Sequence, residues 1–443
     1  MSIACGGVYF TWVSPSLPRL TSDDSPIGTT ITLEEGSWIA SSAFLGGILG
    51  SLIGGILMTK IGPKQCILSS SIPYFAGWII IILTKSPVMI IVAQGIGGIG
   101  SGISLSILPI YVSEIGDKDI RGKLGVLGMA LVNTSNFIVL AFGPFVSYAA
   151  LALLCSTFPL VFLITFYFVP ESPYYLVKIG KKDAAMSNLR RLASGNVDEK
   201  NIRLNLEEIE NTIQYDIENG TTLKELLTKE NYRKSLLMVM GIKLLRAFNG
   251  TPAIDAYKQT IIESSNSMIS PGISSIIFGL VPILAALICA ICIDKIGRKL
   301  LITVAALICA VGLVAEGAYF YLQETNMDIT SLSWLPTAGL SIYLFCNTVG
   351  VATLSNIIVG EMFATSIKGI AVPFFSIISS IVNFTVLKFY EPLSDVWGRY
   401  TVFWIFATVC ILGALFVLLV LPETKGKSFI EIQRKLNKKS ENI

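Results

Sequence analysis

Asp294-Lys-Ile-Gly-Arg-Lys299 repeats Thr59-Lys-Ile-Gly-Pro-Lys64 at a distance of 235 residues, and this pair decides how the chain divides. Two more motifs recur in the same order. Glu114, seven residues before Arg121-Gly122, returns 247 residues later as Glu361, seven before Lys368-Gly369. Pro170-Glu-Ser-Pro173 returns 252 residues later as Pro422-Glu-Thr-Lys425. The offsets are nearly equal, so two homologous halves lie end to end. Each copy sits where a long apolar segment meets a charged loop.

Composition places those segments in a bilayer. Hydrophobic residues make up 53% of the 443 positions and charged residues 14%, whereas a soluble domain carries about 25% charged residues. The mean hydropathy is +0.69. About 20 apolar residues span a hydrocarbon core, and twelve such stretches are predicted. They cover residues 2–19, 37–59, 66–84, 87–110, 123–146, 149–169, 235–262, 271–293, 300–322, 334–360, 369–390 and 400–421. The predicted fold is an all-α membrane protein. Residues 1–169 form one six-helix half, 170–234 a cytoplasmic helical linker, 235–421 the second half and 422–443 a cytoplasmic tail.

Charge sets the orientation. With the N-terminus in the cytoplasm, 26 of the 33 Lys and Arg lie on the cytoplasmic side, and the loop between spans 9 and 10 holds Glu324 and Asp328 with no basic residue. Positive charge in short loops favours the inside, so both termini are expected in the cytoplasm. Span 1 ends in Ser14-Pro-Ser-Leu-Pro18, unlike a small-residue cleavage site, and reads as a retained span. The eight cysteines fall within or at the edges of spans and imply no disulfide framework. Of four sequons, Asn133, Asn249 and Asn383 begin within spans and Asn219 in the cytoplasmic loop, so glycosylation is not expected.

Between the halves, 179–192 and 204–213 carry apolar residues at helical spacing, with Leu223-Lys-Glu-Leu-Leu as a third short piece. A helical platform under the bundle is expected, or else a solvated linker. Gly46, Gly50 and Gly54 recur every four residues on span 2, as Gly98 and Gly102 do on span 4, a spacing that lets helix backbones approach in lipid. A duplicated polytopic bundle of this kind is the plan of a secondary transporter, whose site lies between the repeats. No catalytic triad, metal-ligand cluster or phosphate-binding loop is recognisable, so no enzyme, metal or cofactor is proposed.

Taken together, the motifs resemble the sugar-porter branch of the major facilitator superfamily, and within it the facilitated trehalose and hexose transporters. The resemblance runs through Glu34-Glu-Gly-Ser-Trp38, Pro109-Ile-Tyr-Val-Ser-Glu114, Arg121-Gly122, Pro170-Glu-Ser-Pro-Tyr-Tyr-Leu176, Asp294-Lys-Ile-Gly-Arg-Lys299, Gly360-Glu361 and Pro422-Glu-Thr-Lys-Gly426. It implies twelve helices and alternating access to a central solute site. The expected partners are a small sugar and the lipid bilayer of the plasma membrane, with no nucleic acid, and the expected state is a monomer. Glu114, Arg121, Asp294, Arg298, Glu361 and Lys368 are expected to hold a cytoplasmic gate, with Glu171 and Glu423 meeting the arginines; the alternative is that these charges only fix orientation. The first motif copy departs from the pattern, having Thr59 and Pro63 where an aspartate and an arginine are wanted.

The solute site departs further. The paired glutamines that the resemblance places on span 7 correspond to Arg246 and Ala247, an asparagine beyond them to Pro252, the span 5 glutamine to Met129 and the span 10 tryptophan to Asn356. Other polar residues stand nearby. Asn133 and Asn136 share the helical face of Met129, Asn347 and Asn356 lie on span 10, Asn383 matches an expected asparagine on span 11, and Lys243, Arg246 and Asn249 form a stripe on span 7. Solute contact and structural pairing remain alternatives: Lys243 could snorkel, Asp255 could pair with Arg246 or Lys258, and the asparagines could bond between helices. Span 1 has no acidic residue where the resemblance places one in proton-coupled carriers, leaving Glu316 in span 9 as the other candidate. The expected activity is facilitated diffusion of a sugar; the alternatives are a carrier of an anionic or modified solute and a non-transporting sensor.

Overall fold

The computed structural model describes residues 1–116, 118–192, 199–218, 230–363, 365–423 and 425, and the helices below are those of the described residues. The first half contains α1 (Ser2–Thr11), α2 (Val13–Thr21), α3 (Leu33–Ile61), α4 (Pro63–Ser69), α5 (Ser71–Leu83), α6 (Pro87–Ile115), α7 (Lys118–Phe142) and α8 (Tyr148–Tyr167). The linker follows with α9 (Pro173–Lys178), α10 (Lys182–Leu192) and α11 (Glu199–Glu218). The second half contains α12 (Glu230–Phe248), α13 (Thr251–Ser264), α14 (Pro271–Ile296), α15 (Arg298–Glu324), α16 (Leu335–Cys346), α17 (Thr353–Met362), α18 (Thr365–Trp397) and α19 (Arg399–Val420). They group into twelve spans: α1 with α2 forms span 1, α4 with α5 span 3, α12 with α13 span 7, and α16 with α17 span 10. Each remaining long helix is a span of its own.

Local chemistry sets the ends. Thr32 opens α3 with a capping box, its hydroxyl accepting from the Glu35 N–H at 3.2 Å while the Glu35 carboxylate accepts from the Thr32 N–H at 2.8 Å. Pro87 and Pro271 stand in first turns, where a missing N–H costs nothing.

Nine helical segments among the described residues are long and apolar enough to cross a membrane. Spans 1 and 7 fall short of that pattern for physical reasons. Span 1 is broken at Trp12; span 7 is interrupted at Gly250 and carries Lys243, Arg246, Asp255 and Lys258. Polar or irregular helices at membrane depth persist where they line protein or a wet cavity rather than lipid. Large apolar side chains such as Leu52, Ile72, Leu83, Leu153 and Leu419 cover the outside.

Glycine brings spans 2 and 4 into backbone contact. A Cβ on Gly46 would fall 1.8 Å from the Gly95 carbonyl oxygen, on Gly50 2.0 Å from that of Ile99, and on Gly98 2.0 Å from that of Ala43. Gly54 is looser, 3.3 Å from the Ile103 Cα. The second half packs more through aromatic rings, as in the Phe320–Phe403 stack at 5.6 Å.

In the linker, Leu176, Ala185 and Leu206 form a small core of their own. Asn188 ties it to the first half by donating to the Glu171 carbonyl at 3.0 Å, and Arg191 donates to that of Phe168 at 2.6 Å. Leu223-Lys-Glu-Leu-Leu lies outside the described residues.

Candidate functional site

The repeated glycines prove to be turns. Gly62 and Gly297 have φ of +88° and +94°, a conformation that excludes most side chains. Each turn is capped by the glutamate of the third motif. Glu171 accepts from the Lys64 N–H at 3.0 Å, while Glu423 accepts from the N–H groups of Arg298 at 3.0 Å and Lys299 at 3.1 Å. These carboxylates sit on the free amides of helix N-termini, where negative charge is favoured. The described bonds of Glu171 and Glu423 thus run to backbone, within one half, where the sequence led us to expect arginine side chains. Glu114 is half-buried at the end of α6. The side chains of Arg121, Asp294, Glu361 and Lys368 lie outside the described part of the molecule.

At mid-membrane two irregularities face each other. Span 7 breaks at Asn249-Gly250, with Gly250 at φ +90°, and restarts at Thr251 with Pro252 in its first turn. Span 10 widens into a π-helical stretch over Asn347–Ala352. The two are tied together by buried polar groups. Asn249 Nδ2 donates to Asn347 Oδ1 at 3.0 Å, and Asn249 Oδ1 accepts from the Thr251 hydroxyl at 2.7 Å and its N–H at 3.0 Å. The Thr251 hydroxyl lies 3.1 Å from that of Tyr343, which donates to the Asn249 carbonyl at 3.2 Å. Discontinuous helices are where transporters of several folds place their solute sites.

The other expected site residues divide by what they touch. The Lys243 ammonium donates to Asn356 Oδ1 at 2.7 Å. Asp255 pairs with Lys258 at 3.3 Å and also lies within electrostatic reach of Arg246. Asn249 leaves the helical stripe of Lys243 and Arg246, because α12 ends one residue earlier. Asn133 donates across the halves to the Pro282 carbonyl at 3.3 Å. Asn136 lies over Gly7 of span 1, and its buried Oδ1 has no hydrogen-bond partner among the described residues. Arg246 and Asn383 likewise make no side-chain hydrogen bond to described residues, and both keep partial exposure.

Three features were not expected from the sequence. Thr251 and Tyr343 complete the asparagine network. Lys388 of span 11 donates to the Ser37 hydroxyl at 2.8 Å and stands 4.4 Å from the Trp38 ring centroid, a cation–π contact that joins the halves at the end away from the motifs. Nearby, the Gln259 N–H donates to the Ser14 hydroxyl at 3.4 Å, and Trp38 packs on Phe384 at 5.9 Å. The Asn-Gly-Thr-Pro run at 249–252 carries a helix-break signal; a lysine near the end of an apolar span carries no comparable signal.

Comparison with known proteins agrees with this architecture. The chain matches the family described as "Sugar (and other) transporter" over residues 21–436. It is 31% identical over 415 residues to a facilitated trehalose transporter of Bombyx mori, covering 93% of this chain and 81% of that protein. A facilitated trehalose transporter of Apis mellifera ligustica is 30% identical over 433 residues, 97% of this chain and 85% of that one. Among solved structures, a major facilitator superfamily proton:xylose symporter bound to 6-bromo-6-deoxy-D-glucose aligns with a TM-score of 0.78 at 19% identity, covering 98% of this chain and 97% of its own. An inward-open xylose transporter from E. coli gives 0.77 at 19% identity, covering 98% of both chains. Those structures speak for the fold, and the matches along the sequence speak for descent: this chain is a multi-pass membrane protein of the sugar transporter family, built on the major facilitator fold.

Proposed function

We propose that the protein carries a sugar across the plasma membrane by facilitated diffusion, the two halves rocking about a central site. The observation that carries this reading is the meeting of the broken span 7 with the π-helical stretch of span 10, in a chain whose relatives are named as facilitated trehalose transporters. Asn136, Arg246 and Asn383 keep hydrogen-bonding capacity free for solute, and Asn356 and Asn133 have capacity left beyond their protein bonds. Asn249 and Asn347 shape the site by holding the break. The basic motif ends favour a cytoplasmic location, with both termini inside.

The gate belongs to those motif ends. Glu114, Arg121, Asp294, Arg298, Glu361 and Lys368 would bridge the halves when the inner side closes, while Glu171 and Glu423 hold the turns that present them. The described cross-half contacts gather at the opposite and central levels: Lys388 with Ser37 and Trp38, Gln259 with Ser14, Asn133 with Pro282.

Energetic coupling to protons is not part of this proposal. Span 1 offers no carboxylate, and Glu316 is fully buried, with Oε1 accepting the Leu340 N–H at 3.0 Å. Uptake of radiolabelled trehalose and glucose by a transporter-deficient cell tests the reading. Saturable uptake that equilibrates without accumulating, unchanged by a protonophore, is expected. Uphill accumulation that collapses with the protonophore would overturn the uniport mechanism; no uptake of any sugar by correctly inserted protein would overturn the function.

A further inference from the structure

We propose that the central cavity is an anion site, in which Arg246, assisted by Lys243, receives a carboxylate or similar oxyanion. This rests on reading the cavity as a sugar pathway and narrows the solute to a sugar bound together with negative charge.

Residues 235–262 of span 7 contain three cations, Lys243, Arg246 and Lys258, and one carboxylate, Asp255, with Glu263 just beyond. Asp255 is already paired with Lys258 at 3.3 Å. Lys243 bonds to a neutral amide, Asn356. Arg246, with five N–H donors, has no side-chain hydrogen bond to any described residue. Residues 2–21 of span 1, 124–142 of span 5, 335–360 of span 10 and 369–390 of span 11 contain no acidic residue, so no neighbouring wall supplies one. Of the other buried carboxylates, Glu316 lies against the backbone of span 10, and Glu391 near the far end of span 11 is within electrostatic reach of Arg399.

Geometry rules out the membrane surface as the destination of this side chain. Leu237, 60% exposed, marks the lipid face of α12. Arg246 is nine residues further on, half a turn away from that face at about 100° per residue. Its electrostatic neighbours are the fully buried Tyr343 and the half-exposed Asp255, whose ion pair is with Lys258. A guanidinium held at depth with its hydrogen-bond donors unmet is penalised. Its planar fork fits an oxyanion bidentately.

The negative charge could sit on the sugar or on a separate small anion bound beside a neutral sugar, and one experiment separates the two. The full chain is reconstituted in a zwitterionic buffer of low ionic strength without added inorganic anion, and binding of D-glucuronate, D-glucose and trehalose is measured with and without chloride or phosphate. Tighter binding of glucuronate than of glucose by roughly tenfold, levelled by Arg246→Gln and partly kept by Arg246→Lys, assigns the charge to the solute. Glucose binding that tightens on adding chloride or phosphate, with the dependence lost in Arg246→Gln, assigns it to a free anion. Should Arg246→Gln fail to insert, Arg246→Lys and Lys243→Gln carry the same comparison. Glucose or trehalose binding that ignores every anion and these substitutions overturns the anion site and leaves the sugar pathway standing. Absence of binding by any sugar, neutral or acidic, overturns the sugar pathway itself.

Discussion

The two halves share a plan and differ in what fills them. In the first half, backbone meets backbone: Gly98 leaves no room for a methyl group against Ala43, and Tyr9 fills a slot between Gly77 and Gly97 while donating to the Ala93 carbonyl at 2.7 Å. In the second half, the corresponding depth holds a broken helix, a π-helical stretch, an asparagine network and three cations. One half brings backbone against backbone at its glycines; the other carries the break at Gly250, the π-helical stretch and the cations of span 7. The difference teaches that duplication preserved the hinge-like turns at the motif ends while leaving one copy to carry most of the proposed site.

The largest effect should come from breaking the packed half. Gly98→Ala places a methyl carbon 2.0 Å from the Ala43 carbonyl oxygen, where neither backbone can yield. A loss of about 3 kcal/mol or more is expected, seen as failure to recover folded protein from membranes. Gly312→Ala, 3.0 Å from the Gly339 carbonyl, should cost less, and Gly55→Ala, which meets nothing within 4 Å, should be neutral. Equal recovery of all three variants would dissolve the contrast between the halves.

Next in size is the asparagine network. Asn249→Ala removes bonds to Asn347 and Thr251, each worth about 0.6–2 kcal/mol in a membrane, so its thermal midpoint in detergent should fall clearly. Asn136→Ala breaks no bond to a described residue and should leave the midpoint unchanged while weakening solute binding. A stable Asn249→Ala with lost binding would instead make Asn249 a direct solute contact.

The capping glutamates test the shared feature. Glu171→Gln and Glu423→Gln each trade a charge-assisted bond to backbone amides for a neutral one, a loss of about 1 kcal/mol after allowing for partial exposure. Similar midpoints for the two would mark the turns as equivalent. A much larger fall for Glu423→Gln would show that this carboxylate also serves the gate.

Thr59→Asp should act most subtly. The Thr59 hydroxyl donates to the Ile56 carbonyl at 2.8 Å on an exposed surface, so stability should hold. Restoring a carboxylate at the weakened inner gate should slow modification of an engineered cavity cysteine from the cytoplasmic side by a few-fold. An unchanged rate would remove position 59 from the gate.

Much of this was readable from the chain because membrane depth and duplication write strong patterns. Nine of the twelve predicted spans are helical segments long and apolar enough to cross a membrane among the described residues, and each predicted span begins within a few residues of a helix start. The glycine spacing on spans 2 and 4 carried its physical reason with it. The site was less legible. Asn249-Gly250-Thr251-Pro252 announces a break, yet the sequence does not say which asparagine turns to which neighbour, and Asn347–Ala352 has no composition that distinguishes a π-helical stretch from an ordinary turn. Charge pairs by sign in a sequence, which points the glutamates of the third motif to arginines; the fold adds the backbone N–H groups of helix N-termini, which a sequence does not announce.

The eight cysteines also have a consequence for chemistry on the intact molecule. Seven are buried, and Cys292 is partly exposed. It precedes Asp294 by two residues, at the motif end of span 8. Thiolate-directed reagents need access as well as ionisation, so alkylating or oxidising agents should meet this protein at a single native position beside the inner gate. Cys292→Ser would then leave a chemically silent background for reporter thiols, while the native protein carries its own.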